Sequence, residues 1–146
     1  MRTAPADLLD VNVWVALADR NHVHHGRARR YWDEESGRQV AFCRISMLGL
    51  LRLGTNPRVM GGEPFSPAEI WRVYRGFRAI PEVILVPEPA DLEQQMAAWS
   101  DRSNFAVSAW TDCYLASLAH VTGCRLVSLD RGFARFDGLD FIHLQL

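Results

Sequence analysis

Apolar positions along the chain switch between short continuous runs and helical spacing, and the switches mark the elements. Leu8-Leu9 is a short apolar run that stops at Asp10. Val13, Trp14, Leu17 and Ala18 then recur as one buried face of a helix over Val11 to Asp19, which Asn12 is placed to cap. His24 to Glu35 predicts a second helix, with Ala28, Tyr31 and Trp32 on one side and arginines on the other. Gln39 to Cys43 reads as a strand. Ile45, Leu48, Leu51 and Leu53 then form the apolar side of a helix closed at Thr55-Asn56-Pro57, because the residue before proline resists the helical region.

Ser66-Pro67-Ala68-Glu69 combines a capping box with proline at the first helical position, and Ile70, Val73, Tyr74 and Phe77 follow at helical spacing. Val83 to Val86 is a buried strand closed by Pro87, Leu92 to Trp99 is helical, and Ser100 to Ser108 is a polar loop. Thr111 to Val121 is a helix ended by Gly123. Arg125 to Leu129 is a strand that ends at Asp130, and Phe141 to Leu144 is a last short strand. Strands alternating with helices predict an α/β fold, a parallel sheet sandwiched between α-helices, as one domain over residues 1–146.

Composition narrows the function classes. A chain of 146 residues, 49% hydrophobic, is long enough to bury a core without a metal or disulfide staple. Its 16 basic and 17 acidic side chains give a net charge of −1, which argues against a heavily basic nucleic-acid binder. A nuclease stays open, since an acidic centre offsets a basic surface in the sum. Every basic residue is arginine. P-loop, receiver-domain and haloacid-dehalogenase chemistry each use a lysine, so the lack of one counts against all three. Cys43, Cys113 and Cys124 are odd in number and show no CxxC spacing, which suits buried thiols in a reducing compartment. No signal-peptide core precedes Asp10, and no apolar run approaches the ~20 residues of a membrane span. A cytoplasmic protein is expected.

The candidate chemistry lies in three aspartates. Ligands of open α/β sheets bind outside the carboxyl ends of the strands. Asp10 and Asp130 each stand where an apolar strand run ends, and Asp112 stands in the first turn of a helix that Thr111 is placed to cap. Singly, each reads first as a turn or capping residue, and a helix start favours an anion by about 0.3–1 kcal/mol. Jointly, three converging carboxylates repel one another unless a cation joins them, and carboxylate oxygens are the hard ligands that Mg²⁺ and Mn²⁺ prefer.

The runs Leu8-Leu9-Asp10-Val11-Asn12-Val13, Thr111-Asp112-Cys113-Tyr114-Leu115-Ala116 and Leu126-Val127-Ser128-Leu129-Asp130-Arg131-Gly132-Phe133 resemble the three acidic motifs of the PIN domain. Ile45-Ser46-Met47-Leu48-Gly49-Leu50-Leu51-Arg52, followed by Thr55-Asn56-Pro57-Arg58-Val59, resembles the VapC-type toxins of that superfamily. The resemblance implies a Mg²⁺-dependent endoribonuclease of a type II toxin–antitoxin module, a homodimer silenced by a VapB-type antitoxin. It makes Asp10 and Asp130 direct metal ligands, with Asp112 binding directly or through water. Asn12, Thr111 and Ser128 are candidates to support the metal or touch substrate. Gly49 stands where many PIN domains carry a glutamate, which leaves open one ion or two and keeps a catalytically weak RNA- or protein-binding module as the alternative. Arg52, three residues on, is a candidate phosphate contact or a structural arginine.

Other features read as structural first. His22, His24 and His25 fit no compact ligand set, and Arg27, Arg29 and Arg30 suit a solvated helix face unless RNA crosses it. Trp110, beside Asp112, is a core or interface residue or a surface on which a base stacks. An aspartyl-phosphate phosphatase built on Asp10 lacks both its second acid, where Asn12 stands, and its lysine. Leu48, Leu50, Leu51, Leu53, Ile70, Trp71, Val73, Tyr74 and Phe77 exceed one buried stripe and predict a subunit interface.

Overall fold

Every run predicted as a strand pairs in one parallel sheet of order β3-β2-β1-β4-β5 in the computed structural model, which describes residues 6–146. The strands are β1 (Ala6–Leu9), β2 (Gln39–Phe42), β3 (Val83–Leu85), β4 (Arg125–Ser128) and β5 (Phe141–His143). The helices are α1 (Val11–Ala18), α2 (His25–Arg30), α3 (Arg44–Gly54), α4 (Pro67–Arg78), α5 (Leu92–Ser100) and α6 (Trp110–Thr122). From β1 the chain builds outward through β2 to β3, then returns to the other side of β1 as β4. The β1/β4 boundary is therefore the switch point, where such sheets open a crevice at their carboxyl edge.

Successive residues of β1 feed opposite faces, as the pleat requires. Leu9 joins Trp14, Phe42, Leu50 and Tyr74 under α1, α3 and α4, while Leu8 joins Trp99, Leu115, Leu118 and Phe133 under α5 and α6. Trp14 lies flat on Phe42, ring centres 3.7 Å apart and 8° from parallel, and meets the edge of Phe77 at 5.0 Å. The predicted apolar surplus mostly disappears into this core. Leu50, Ile70 and Tyr74 are buried, and Leu51, Leu53, Val73 and Phe77 pack partly against them. Only Leu48 and Trp71 of that set remain exposed, at 52% and 38%.

Local details depart from expectation for tertiary reasons. Asp10, not Asn12, caps α1: its carboxylate accepts the Val11 amide at 2.7 Å, and Asn12 lies inside the helix. Thr111 does not cap α6, because a 3-10 turn over Val107–Ala109 leads straight into the helix at Trp110. The predicted helix over His24 to Glu35 ends as α2 and widens into a π turn at Tyr31–Glu35.

At the amino edge of the sheet Asp7 is fully buried and accepts four donors. Arg125 Nε and Nη2 reach it at 2.6 and 2.9 Å, the Tyr31 hydroxyl at 2.5 Å and the Gly37 amide at 2.7 Å. A buried carboxylate with this many partners is a structural anchor.

Candidate active site

Neighbouring strands β1 and β4 deliver Asp10 and Asp130 to the switch point. The Asp10 amide donates to Val127 O at 2.9 Å, which continues the sheet one residue past the strand. Its Oδ1 caps α1, and its Oδ2 accepts the Ser128 hydroxyl at 2.7 Å. Ser128 is wholly buried, and its oxygen also accepts the Asp130 amide at 2.9 Å and Asn12 Nδ2 at 3.2 Å. Asn12 Oδ1 in turn accepts the Leu129 amide at 3.3 Å. Ser128 and Asn12 thus fix the backbone that carries Asp130 and the rotamer of Asp10 together.

Asp130 folds its Oδ1 onto the Gly132 amide at 2.8 Å, starting a 3-10 turn over Arg131–Arg135. That turn brings Arg135 across to α6, where its Nη2 sits 3.0 Å from Asp112 Oδ2. Arg135 Nη1 donates to Gly132 O at 2.7 Å, and the guanidinium lies 4.8 Å over the Phe136 ring. The aspartates are coupled electrostatically. Burial raises the Asp10 carboxyl to about 6, against the lowering pull of Ser128 and the Val11 amide, and the charges of Asp112 and Asp130 push it the same way. Among the described residues no three acidic, histidine or cysteine groups close into a ready set of metal ligands. Asp112 is engaged by Arg135 instead.

The PIN domain family matches residues 8–139, nearly the whole length. The chain belongs to the PIN-domain family. Two Mycobacterium tuberculosis proteins place it among the VapC ribonucleases. Ribonuclease VapC41 is 37% identical over 138 residues, 91% of this chain and 94% of that one. Ribonuclease VapC38 is 32% identical over 132 residues, 86% of this chain and 85% of that one. The solved structure of M. tuberculosis VapC20, a sarcin-ricin loop cleaving toxin, superposes with a TM-score of 0.66 at 18% identity, covering 92% of this chain and 97% of that one. VapBC2 from Rickettsia felis, bound to a DNA fragment from its promoter, gives 0.68 at 12% identity, covering 96% and 99%. Both structures speak to the fold alone.

Gly49 of this PIN domain has a packing reason. A Cβ there would fall 2.5 and 2.8 Å from the two Val11 methyls, so any side chain at this position, glutamate included, would force Val11 or the α1–α3 contact to shift. Arg52 is exposed in a groove between α3 and α4 with Leu48, Thr55 and Trp71, and it is not among the charges acting on Asp10. Thr111 is exposed on α6. His25 bonds the Ala16 carbonyl at 2.7 Å at the end of α1. Arg135 carried no motif signal: it lies 23 positions from the acid it holds.

Proposed function

We propose that this PIN domain is the endoribonuclease toxin of a toxin–antitoxin pair, and that Asp10, Asp112 and Asp130 hold its divalent ion, Mg²⁺ with Mn²⁺ as a substitute. The observation that carries the reading is Asp10 and Asp130 at the carboxyl ends of neighbouring strands, with the charge of Asp112 also acting on Asp10, in a chain 37% identical to a VapC ribonuclease. The donor set fits a hard cation. Asp10 is a half-buried carboxylate with no ion-pair partner among the described residues, its charge only partly offset by Ser128 and the Val11 amide, and Asp130 Oδ2 has no hydrogen-bond partner among the described residues. When bound, such an ion supplies Lewis-acid activation of water and neutralises charge on the phosphoryl oxygens.

The chain's own residues do the positioning. Ser128 and the Val11 amide fix both oxygens of Asp10, Gly132 fixes Asp130, and Asn12 holds Ser128 in place. Arg135 balances Asp112 before substrate arrives. RNA is the substrate, by kinship with the relatives named ribonucleases. We further propose that the whole chain acts as one domain in the cytoplasm, where its three free, buried cysteines stay reduced. A VapB-type antitoxin covers the acidic crevice, and a homodimer forms through the exposed Ile45, Leu48 and Trp71.

The test is cleavage of a mixed RNA pool by the purified chain with Mg²⁺, with EDTA, and as Asp10→Asn. Cleavage that needs the ion and disappears in the variant is expected. An intact pool with wild-type protein and Mg²⁺, or cleavage that survives EDTA, overturns the reading.

A further inference from the structure

We propose that the cavity beside Asp112 is a nucleobase subsite, which takes one unstacked base of the RNA next to the phosphate that is cut; the inference rests on the ribonuclease reading above. The cavity measures about 340 Å³ and lies between the end of α5, the loop over residues 101–106 and the turn that carries Arg135. Its lining includes Asp112 and Arg135, so it adjoins the carboxylate centre on the Asp112 side.

Three kinds of group meet there, and together they match a nucleotide. Phe105 supplies the accessible aromatic ring, while Trp99 and Phe136, 8% and 4% exposed, back the cavity from the core and Arg135 already lies over the Phe136 ring. Phe105 is half-buried and braced edge-to-face by Trp110, ring centres 4.7 Å apart, so the ring is held in place without being covered. Single-stranded RNA is recognised mainly by splayed bases that stack on such rings. Asn104, exposed on the rim, offers an amide donor and acceptor suited to a base edge. Arg102 supplies the charge. It forms no ion pair among the described residues, and its one recorded side-chain bond is from Nη1 to the Arg135 carbonyl at 3.1 Å. Because Arg135 already balances Asp112, the Arg102 guanidinium is surplus positive charge at the mouth of an aromatic cavity. An apolar peptide would leave that charge unanswered, whereas a nucleotide answers it with phosphate.

Phe105 and Arg102 then have separable duties: the ring selects a base, and the guanidinium holds the backbone whatever the sequence. The experiment compares the wild-type chain with Phe105→Ala, Phe105→Tyr and Arg102→Gln. Cut sites are sequenced from a random RNA pool with Mg²⁺, and binding to single-stranded octamers is measured across salt without divalent ions. Phe105→Ala is expected to lose base preference at one position flanking the cut and to bind about tenfold more weakly, with Phe105→Tyr restoring both. Arg102→Gln is expected to weaken all octamers alike and to lower the slope of log affinity against log salt by about 0.7. The subsite is overturned if Phe105→Ala keeps the wild-type cut-site preference and affinity, or if Arg102→Gln keeps the wild-type salt slope. A wild-type chain that cuts nothing overturns the ribonuclease reading instead, and the octamer arm then decides the subsite by itself.

Discussion

Asp10→Asn should make the metal-free protein more stable at pH 8 while abolishing cleavage. Keeping Asp10 ionised in a site that raises its pKa from 3.8 to about 6 costs the folded state about 3 kcal/mol. The sign follows from linkage. The folded chain holds this proton more tightly than the unfolded chain does. The penalty is therefore absent below pH 3.8, grows as pH rises towards 6, and is complete above it. Asparagine still accepts the Val11 amide, but it cannot accept the Ser128 hydroxyl through its nitrogen. The Ser128 oxygen already takes donors from Asp130 and Asn12, so that hydrogen bond, about 1 kcal/mol, is lost.

The balance at pH 8 is about 2 kcal/mol in favour of the variant, which for a chain of this size raises Tm by about 4–8 °C. By pH 4 the advantage should vanish or reverse. Scanning calorimetry in EDTA at pH 4, 5, 6 and 8 measures it. A variant less stable than wild type at pH 8, or a Tm difference flat across that range, would show that burial does not load Asp10 as argued. Mg²⁺ should raise the Tm of wild type and leave that of Asp10→Asn nearly unmoved, since only a folded state that binds the ion gains from it.

Asp7→Ala should lower stability by about 3–5 kcal/mol in urea unfolding, because it strands Arg125 and the buried Tyr31 hydroxyl; a loss under 1 kcal/mol would mark the cluster as incidental. Gly49→Ala should destabilise by about 1–3 kcal/mol through its clash with Val11, and Val11→Ala in the same chain should recover part of that; no recovery would place the strain elsewhere. Arg135→Gln should tighten Mg²⁺ binding to the RNA-free protein in titration calorimetry, since it removes the cation that Asp112 now holds. An unchanged Kd would mean that the arginine does not compete with the ion.

The strand–helix alternation was legible because strands covered on both faces must be nearly continuous in apolar residues, as Leu8-Leu9 and Leu126-Val127 are. Asp10 and Asp130 were legible for the related reason that a charge ends such a run. What stayed hidden depends on contacts distant in sequence. Asn12 and Thr111 are sound capping residues locally, but the strand end already places Asp10 on α1, and a 3-10 turn already leads into α6. The Asp112–Arg135 pair depends on how the turn after Asp130 folds back, and no spacing rule encodes that. Most of the apolar surplus is absorbed because α1 and α4 each pack on α3 as well as on the sheet, so a wider arc of each is buried and only Leu48 and Trp71 of that set are left exposed.

Asp7 and Asp10 lie three residues apart, and the adjacent strand treats them in opposite ways. At the amino end β4 places Arg125 opposite Asp7, and that pair with Tyr31 and Gly37 saturates the carboxylate. At the carboxyl end the same register sets Ser128 beside Asp10, where one hydroxyl and one amide are outweighed by burial and two further negative charges. The two ends are coupled by the register itself. A slip of one residue would part Asp7 from Arg125 and turn Ser128 to the other face, so it would be opposed strongly at the amino end. The anchor therefore does more than offset the strain of the acidic centre. It fixes which residue of β4 stands against Asp10, and so allows the centre to hold a loosely compensated carboxylate in one orientation.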